Sequence, residues 1–266
     1  MGVDNLVLAI RAALVAGKAI MDVYTQSFEV YTKSDDSPIT QADLRASAII
    51  KQMLEQSQLP FVCEEDLMFT YAERSRFVSY WLVDPLDGTK EFVNRNGEFT
   101  VNIALIENNK PTMGVIYAPV ADTLWFNFGD LVFKTERASQ VNINTPLALP
   151  LLVKHNHEGF VVLVSRSHRT SEVDDYIDHY LRPQHKNLII STKGSSLKFA
   201  SLAEGDADIY VCYSKTKEWD TAAAEAILTA AGGCVKRISD CQPLEYNKEE
   251  YGNPPFVAIN FQNRRT

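Results

Sequence analysis

Residues 81–89 read Trp-Leu-Val-Asp-Pro-Leu-Asp-Gly-Thr, an apolar run that leads directly into two carboxylates, a glycine and a threonine. Burying two acids at the end of a hydrophobic strand is costly unless a cation receives them, so the segment predicts a metal site. Asp87 follows Asp84 by three residues, and we expect Pro85 to set a turn that points both carboxylates at one site. Leu86 is expected to add its backbone carbonyl, since its side chain cannot bind a metal ion.

The two residues that follow are suited to bind an anion. Gly88 and Thr89 offer unhindered backbone N–H groups where the chain leaves the strand. We therefore expect a phosphate group to lie between the metal ions and these donors.

Two further acidic clusters stand at the end of an apolar strand or the start of a helix. Residues 64–66 (Glu-Glu-Asp) follow the strand-like residues 61–63, and Asp220 precedes the alanine-rich residues 221–224. In α/β proteins such positions border the clefts where ligands bind. If the clusters converge, their oxygen ligands favour a hard cation, and Mg²⁺ is the usual one because it also accepts substrate phosphate oxygens.

Each acid also has a local structural explanation. Asp220 suits the N-cap of a helix, and Thr40-x-x-Asp43 resembles a capping box with Asp in place of Glu. The joint occurrence of all the clusters is harder to explain by capping.

Composition and charge argue against several classes of protein. The 266 residues are 45% hydrophobic, and 26 basic against 34 acidic residues give a net charge of −8, which argues against binding a nucleic-acid polymer. The apolar run at residues 6–21 contains Arg11 and Lys18, which argues against a membrane span or signal peptide. Its apolar residues fall at helical spacing and predict an amphipathic helix. Four cysteines without a CxxC pair predict reduced thiols and a cytoplasmic location, with peripheral attachment to the inner membrane left open.

Periodicity predicts two units along the chain. A second helix is expected at residues 42–56, capped by Thr40, and residues 61–135 are rich in strands, which indicates an antiparallel sheet with helices on one face. Beyond Leu149 strands and helices alternate, as in an α/β unit. We therefore predict an N-terminal α+β metal-binding domain at residues 1–148 and a C-terminal α/β substrate-binding domain at residues 149–266.

Three motifs resemble those of a known family. Residues 63–66, 84–89 and 218–223 are similar, in order and spacing, to the lithium-sensitive, magnesium-dependent phosphatases of the inositol monophosphatase superfamily. Residues 37–43, 165–168 and 194–199 look most like its bacterial 3'(2'),5'-bisphosphate nucleotidases of the CysQ type, enzymes of sulfur metabolism.

The resemblance implies a fold and a reaction. The fold is a mixed α/β, layered α-β-α-β-α sandwich with a larger antiparallel sheet and a second, smaller sheet. The reaction is hydrolysis of the 3'-phosphate of adenosine 3',5'-bisphosphate, giving AMP and phosphate, in a monomer or homodimer that binds two or three Mg²⁺ ions.

The resemblance also assigns roles to individual residues. It places the metal ions on Glu64, Asp84, the Leu86 carbonyl, Asp87 and Asp220. It gives Asp43 and Thr89 the activation of the attacking water. It places the substrate against Glu64, Leu86, Asp87, Gly88, Thr89, Asp220, His168, Ser195 and Lys198. For the last three, ordinary structural roles stay open: a helix cap for Ser195, a solvated helix face for Lys198 and a polar loop for His168.

One departure from the nucleotidase pattern concerns the substrate. Those enzymes carry an arginine where this chain has Cys212, and a cysteine cannot grip a phosphate as an arginine does. Lys215 or Lys217 is a candidate replacement. The alternatives are an inositol or sugar monophosphatase on the same scaffold and a non-catalytic protein that binds a phosphometabolite. The second alternative is disfavoured because all the metal-linked acids and Thr89 are present.

Overall fold

Two large β-sheets, besides a two-stranded one, alternate with three helical layers in the computed structural model, which describes residues 2–32, 38–66, 68–141, 151 and 157–260. The elements of the N-terminal half are α1 (Gly2–Tyr24), β1 (Val30–Thr32), β2 (Pro38–Thr40), α2 (Gln41–Leu54), β3 (Phe61–Cys63), α3 (Tyr71–Arg74), β4 (Ser79–Asp87), α4 (Thr89–Val93), β5 (Thr100–Glu107), β6 (Lys110–Ala118), β7 (Thr123–Phe128) and β8 (Leu131–Glu136). Those of the C-terminal half are β9 (Phe160–Ser165), α5 (Ser171–Tyr176), β10 (Leu188–Lys193), α6 (Leu197–Glu204), β11 (Ile209–Cys212), α7 (Glu218–Ala230), β12 (Cys234–Arg237) and β13 (Phe256–Ile259). A π-helical turn, Ile177–Leu181, extends α5.

The larger sheet has the strand order β3-β4-β5-β6-β7-β8 and is antiparallel except between β3 and β4, which are parallel. Helices cover both of its faces, so the expectation of helices on one face is wrong. Trp81 and Val83 pack in the core that contains α1 and α2, whereas Leu82 packs in the core that contains α6 and α7. A strand that is apolar at consecutive positions, as β4 is from Tyr80 to Val83, indicates burial on both sides.

The smaller sheet has the order β10-β9-β11-β13-β12, with parallel pairs around β9 and antiparallel pairs around β13. Its inner face packs on α6 and α7, and α5 covers the outer face through Val173 and Ile177. The layers therefore run α1/α2, larger sheet, α6/α7, smaller sheet, α5. This order confirms the α-β-α-β-α sandwich.

Some expectations fall on residues that the structure leaves undescribed. The boundary between residues 148 and 149 lies outside the described residues. The division into two domains therefore stays a prediction.

One buried acid in α7 gives the fold a pH dependence. Burial raises the pKa of Glu225 to about 7 from its ordinary 4.5, although its Oε2 accepts a 2.6 Å hydrogen bond from the Tyr246 hydroxyl. Because the fold favours the protonated carboxyl, this contribution to stability is complete below about pH 4.5 and is lost as the pH rises through about 7.

We expect Glu225→Gln to be more stable than the unsubstituted protein at pH 8, by about 1–3 kcal/mol, and of similar stability at pH 5. Glutamine keeps an acceptor for Tyr246 and carries no charge. Urea unfolding of both proteins at the two pH values measures the difference. A free-energy difference that does not change with pH would contradict the assignment.

Candidate active site

A cleft of about 560 Å³ is lined by residues from both halves of the chain. The N-terminal half contributes the start of β2, the ends of β3 and β4 and the start of α4. The C-terminal half contributes the connections that follow β9, β10 and β11. All the expected ligand and substrate residues lie on its wall: Glu64, Asp84, Leu86, Asp87, Gly88, Thr89, His168, Ser195, Lys198 and Asp220.

Three carboxylates meet in this cleft. Oxygens of Glu64, Asp84 and Asp220 lie within 4.8 Å of one another. Glu64 and Asp84 meet because β3 and β4 are parallel and Cys63 pairs with Val83, so the residues that follow this pair lie side by side at the same end of the two strands. Asp66, the last residue of the 64–66 cluster, forms an ion pair with Lys51 at 2.5 Å.

Asp220 lies in the first turn of α7 rather than at its N-cap. Lys217 occupies the N-cap position, and its backbone N–H donates to Asp220 Oδ2 at 2.8 Å. The expectation that Asp220 occupies the N-cap of the helix is therefore wrong. This hydrogen bond fixes the carboxylate at the edge of the cleft.

The expected turn at Pro85 is a bulge in β4. The strand continues to Asp87, and its register with β5 shifts so that Asp84 lies opposite Asn102 and Asp87 opposite Thr100. A bulge turns side chains away from regular alternation and tolerates a proline, which has no N–H to donate. The bulge therefore directs both acids into the cleft.

The negative charges of the acids in the cleft repel one another. Burial raises the pKa of Asp84 well above its usual range, and the negative charges of Glu64, Asp87 and Asp220 raise it further. Desolvation also raises the pKa of Asp220, again with help from Asp87 and Glu64. A cluster of hard oxygen donors with excess negative charge fits one or more divalent cations.

Lys90 is the nearest cation in sequence to Asp84 and Asp87. Its Nζ instead lies 2.9 Å from Nε2 of His168. Burial of the imidazole, together with the Lys90 charge, lowers the pKa of His168. A neutral His168 can accept a hydrogen bond from the ammonium group.

Thr89 and Asp43 form a hydrogen-bonded pair beside the acids. Asp43 Oδ2 accepts from the N–H and hydroxyl of Thr40, at 2.8 and 2.7 Å, in the expected capping box at the start of α2. The other oxygen, Oδ1, accepts from the Thr89 hydroxyl at 3.2 Å. The capping box thus holds the carboxylate so that one oxygen faces Thr89.

The chain passes from β4 into α4 through Gly88, whose φ of +91° lies in the left-handed region that favours glycine. Helix α4 was not expected from the sequence, because five residues are too few to show a helical period. The first N–H groups of a helix have no acceptor within the helix. Their position at the wall of the cleft suits them to an anion.

The ordinary structural explanations for Ser195 and Lys198 do not hold. Ser195 precedes the N-cap of α6, and its hydroxyl donates to Asp87 Oδ2 at 2.7 Å. Lys198 is only 6% exposed. Its Nζ donates to the Ser195 carbonyl at 2.7 Å and lies 5.1 Å from the centre of the Tyr210 ring. Burial lowers the pKa of Lys198.

Two lysines follow the buried Cys212 in the next loop. Cys212 is buried at the end of β11, with its Sγ 3.4 Å from Ser214 Oγ. Lys215 and Lys217 are exposed and line the cleft. Sequence reasoning missed two other polar neighbours of the acids, Asn102 and Ser196. A single asparagine inside the apolar β5 was the available signal.

Among the described residues, no helix is both long enough and apolar enough to cross a membrane.

Comparison with known proteins finds close relatives. The model of the inositol monophosphatase family matches residues 4–258. The 3'(2'),5'-bisphosphate nucleotidase CysQ of Escherichia coli K12 is 41% identical over 248 residues, which are 91% of this chain and 94% of that protein. The enzyme of the same name from Buchnera aphidicola is 44% identical over 232 residues, which are 85% of this chain and 82% of that protein.

Solved structures agree with this comparison. The crystal structure of CysQ from Bacteroides thetaiotaomicron, a bacterial member of the inositol monophosphatase family, aligns with a TM-score of 0.88 and 38% identity over 98% of each chain. An inositol monophosphatase from Thermotoga maritima aligns with a TM-score of 0.73 at 20% identity, over 97% of this chain and 92% of that one, which shows the shared fold.

Proposed function

The chain belongs to the inositol monophosphatase family, and from this premise we propose that it is a metal-dependent 3'(2'),5'-bisphosphate nucleotidase. It hydrolyses the 3'-phosphate of adenosine 3',5'-bisphosphate to give AMP and phosphate. The observation that carries the chemistry is the Thr89–Asp43 pair beside the cluster of Glu64, Asp84 and Asp220. The choice of substrate rests on the similarity to the CysQ nucleotidases along nearly the whole chain.

The metal ions of this proposal are two or three Mg²⁺. Their ligands are Glu64, Asp84, the Leu86 carbonyl, Asp87 and Asp220. All of these donors are oxygen, which suits Mg²⁺ better than a softer ion. When bound, the ions supply positive charge to the phosphate oxygens and lower the pKa of a water molecule.

Thr89 and Asp43 move the proton of the attacking water. A threonine hydroxyl is a weak base alone, but it can take a proton from water while it passes its own to Asp43 Oδ1. Because Thr40 occupies the other oxygen of Asp43, the receiving oxygen stays aligned with the hydroxyl. The backbone N–H groups of Gly88 and Thr89 donate to the phosphate oxygens on which charge develops.

The nucleotide lies along the C-terminal side of the cleft. His168, Ser195 and Lys198 contact it, and Lys215 and Lys217 bind the 5'-phosphate in place of the absent arginine. A lysine is a point charge without the paired donors of a guanidinium, so this contact tolerates variation in the phosphate position.

Two organisational features complete the proposal. Residues 1–148 form the metal-binding domain and residues 149–266 the substrate-binding domain, with Asp220 reaching across to the metal ions. The enzyme works in the cytoplasm as a monomer or homodimer. Its four cysteines, Cys63, Cys212, Cys234 and Cys241, are unbonded thiols, as expected for a reducing compartment.

Phosphate release from adenosine 3',5'-bisphosphate and inositol 1-phosphate, measured in parallel with Mg²⁺, tests the function. We expect kcat/KM for the nucleotide to be at least about 100-fold higher, because polar groups that bind the nucleotide stay unpaired with inositol phosphate. Excess chelator should abolish release, and lithium should inhibit it. A preference for inositol 1-phosphate, or undiminished release in chelator, would contradict the proposal.

A further inference from the structure

Three side-chain donors converge on one oxygen of Asp87. The hydroxyl groups of Ser195 and Ser196 donate to Asp87 Oδ2 at 2.7 and 2.9 Å, and Asn102 Nδ2 donates to it at 3.2 Å. Asn102 lies on β5 of the larger sheet, whereas the serines lie between β10 and α6. Within the described part of the chain, all the hydrogen bonds that the Asp87 carboxylate accepts fall on Oδ2.

The donors are themselves held in place. Asn102 and Ser196 are each 1% exposed. Asn102 Nδ2 also lies 2.7 Å from Ser196 Oγ. The hydroxyl of Thr100 donates to Asn102 Oδ1 at 3.0 Å and lies 2.5 Å from Ser195 Oγ. The donors and Thr100 thus form a connected network, in which each side chain restricts the rotation of the next.

The segment that carries the two serines is anchored from the opposite side. The N–H of Gly194 donates to Glu98 Oε2 at 2.7 Å, and Arg166 holds both oxygens of Glu98, at 2.6 and 2.7 Å. A Cβ at Gly194 would lie 2.8 Å from the Glu98 carbonyl, so only glycine allows this approach. Ser195 adopts a φ of +51°, an unfavourable conformation that persists because both sides of the segment are fixed.

We propose that Asn102, Ser195 and Ser196 are positioning residues for the metal centre. They bind Oδ2 of Asp87 and so reserve Oδ1 for a divalent cation. All three donors are neutral, and they therefore orient the carboxylate without cancelling the charge that attracts the cation. Hydrogen bonds to the ligands of a metal typically account for about 10- to 100-fold in metal affinity. The inference rests on the proposed function only in taking Asp87 as a metal ligand.

Ser196→Ala is the most direct test. Ser196 occupies the N-cap of α6, but its side chain makes no capping hydrogen bond, so the substitution removes the bond to Asp87 without weakening the helix. We expect Mg²⁺, titrated calorimetrically into the substrate-free protein, to bind about 10- to 100-fold more weakly. Ser196→Thr returns a hydroxyl and should restore much of the affinity.

A matched control is available on the same helix. Ser201 is also buried, and its hydroxyl accepts from Lys193 Nζ instead of contacting Asp87. Ser201→Ala should therefore bind Mg²⁺ as the unsubstituted protein does. Steady-state activity adds a second readout: Ser196→Ala should lose turnover at limiting Mg²⁺ and recover it at saturating Mg²⁺.

Each outcome decides between the alternatives. Unchanged Mg²⁺ affinity in folded Ser196→Ala, or an equal loss in Ser201→Ala, overturns the positioning role. If Ser196→Ala does not fold, Ser195→Gly replaces it, since glycine adopts a φ of +51° without strain, and the same loss is expected. An unsubstituted protein that binds Mg²⁺ but hydrolyses no bisphosphate refutes the proposed function alone.

Discussion

Asp84→Asn should lower kcat/KM for adenosine 3',5'-bisphosphate by at least about 1,000-fold and, without metal, raise the melting temperature. Asp84 is 2% exposed and lies within 4.8 Å of two further acids. Asparagine retains an acceptor for the Leu86 N–H, which donates to Asp84 Oδ1 at 3.0 Å. The substitution therefore removes a buried charge with little change in shape. Relief of that charge should contribute about 1–2 kcal/mol, or about 2–8 °C.

Excess Mg²⁺ should reverse the order of the melting temperatures. A cation that binds only the native state stabilises it in proportion to the logarithm of its concentration over Kd, and Asp84→Asn loses most of that gain. Thermal unfolding at a series of Mg²⁺ concentrations measures the crossing. A difference between the two melting temperatures that stays the same at every Mg²⁺ concentration would show that Asp84 does not bind the cation.

Asp208→Asn is the control for the loss of a buried carboxylate. Asp208 is 5% exposed and lies away from the cleft, where its Oδ2 accepts from the Val161 N–H at 2.7 Å. Asparagine can accept the same bond. We expect nearly unchanged activity and no crossing with Mg²⁺.

Local patterns predict much of this fold. The strand expected at residues 61–63 has those bounds, and the two N-terminal helices lie where their apolar periods indicate. The sequence signals fail where an element is short or its pairing is distant. Helix α4 has five residues, and β12 is four residues long with two charged side chains.

The candidate site also contains residues that could be predicted from the sequence and residues that could not. Glu64, Asp84 and Asp220 could be predicted because each follows an apolar run or stands at the start of a helix, positions that mark cleft edges in α/β folds. The network around Asp87 could not, since Ser196 and Asp87 are 109 residues apart and meet only when both sheets are in place. The bulge at Pro85 was also hidden, because a proline between two acids is equally compatible with a turn.

The layered fold explains how three acids come to lie together in a buried cluster. Two parallel strands place Glu64 and Asp84 side by side, and the helix between the sheets brings Asp220 to them. Folding thus concentrates negative charge at the end of the larger sheet, at a cost in stability that metal binding offsets. In the proposed function, the nucleotide contacts His168, Ser195 and Lys198 follow strands of the smaller sheet, so a change of substrate would leave Glu64, Asp84 and Asp87 of the larger sheet unaltered.

Thr89→Val should reduce kcat by about 100- to 10,000-fold with little change in Mg²⁺ affinity. Valine matches the shape of threonine but can neither take a proton from water nor donate one to Asp43. Thr89→Ser retains the hydroxyl and serves as the matched control, with activity within about tenfold of the unsubstituted enzyme. Single-turnover phosphate release at saturating Mg²⁺ measures the chemical step, and calorimetric titration measures the metal affinity.

Asp43→Asn in the Thr89→Val background tests whether the two residues act as one unit. Asp43→Asn alone should lower kcat by a similar factor, because asparagine cannot receive the proton, and the double variant should be little slower than either single variant. Two independent roles would instead multiply the two losses. The introduced amide oxygen can still accept from Thr40, so α2 keeps most of its N-terminal cap. We therefore expect only a small change in melting temperature, which would show that the lost activity does not come from unfolding. Multiplicative losses, or full activity in Thr89→Val, would remove the proton relay from the mechanism.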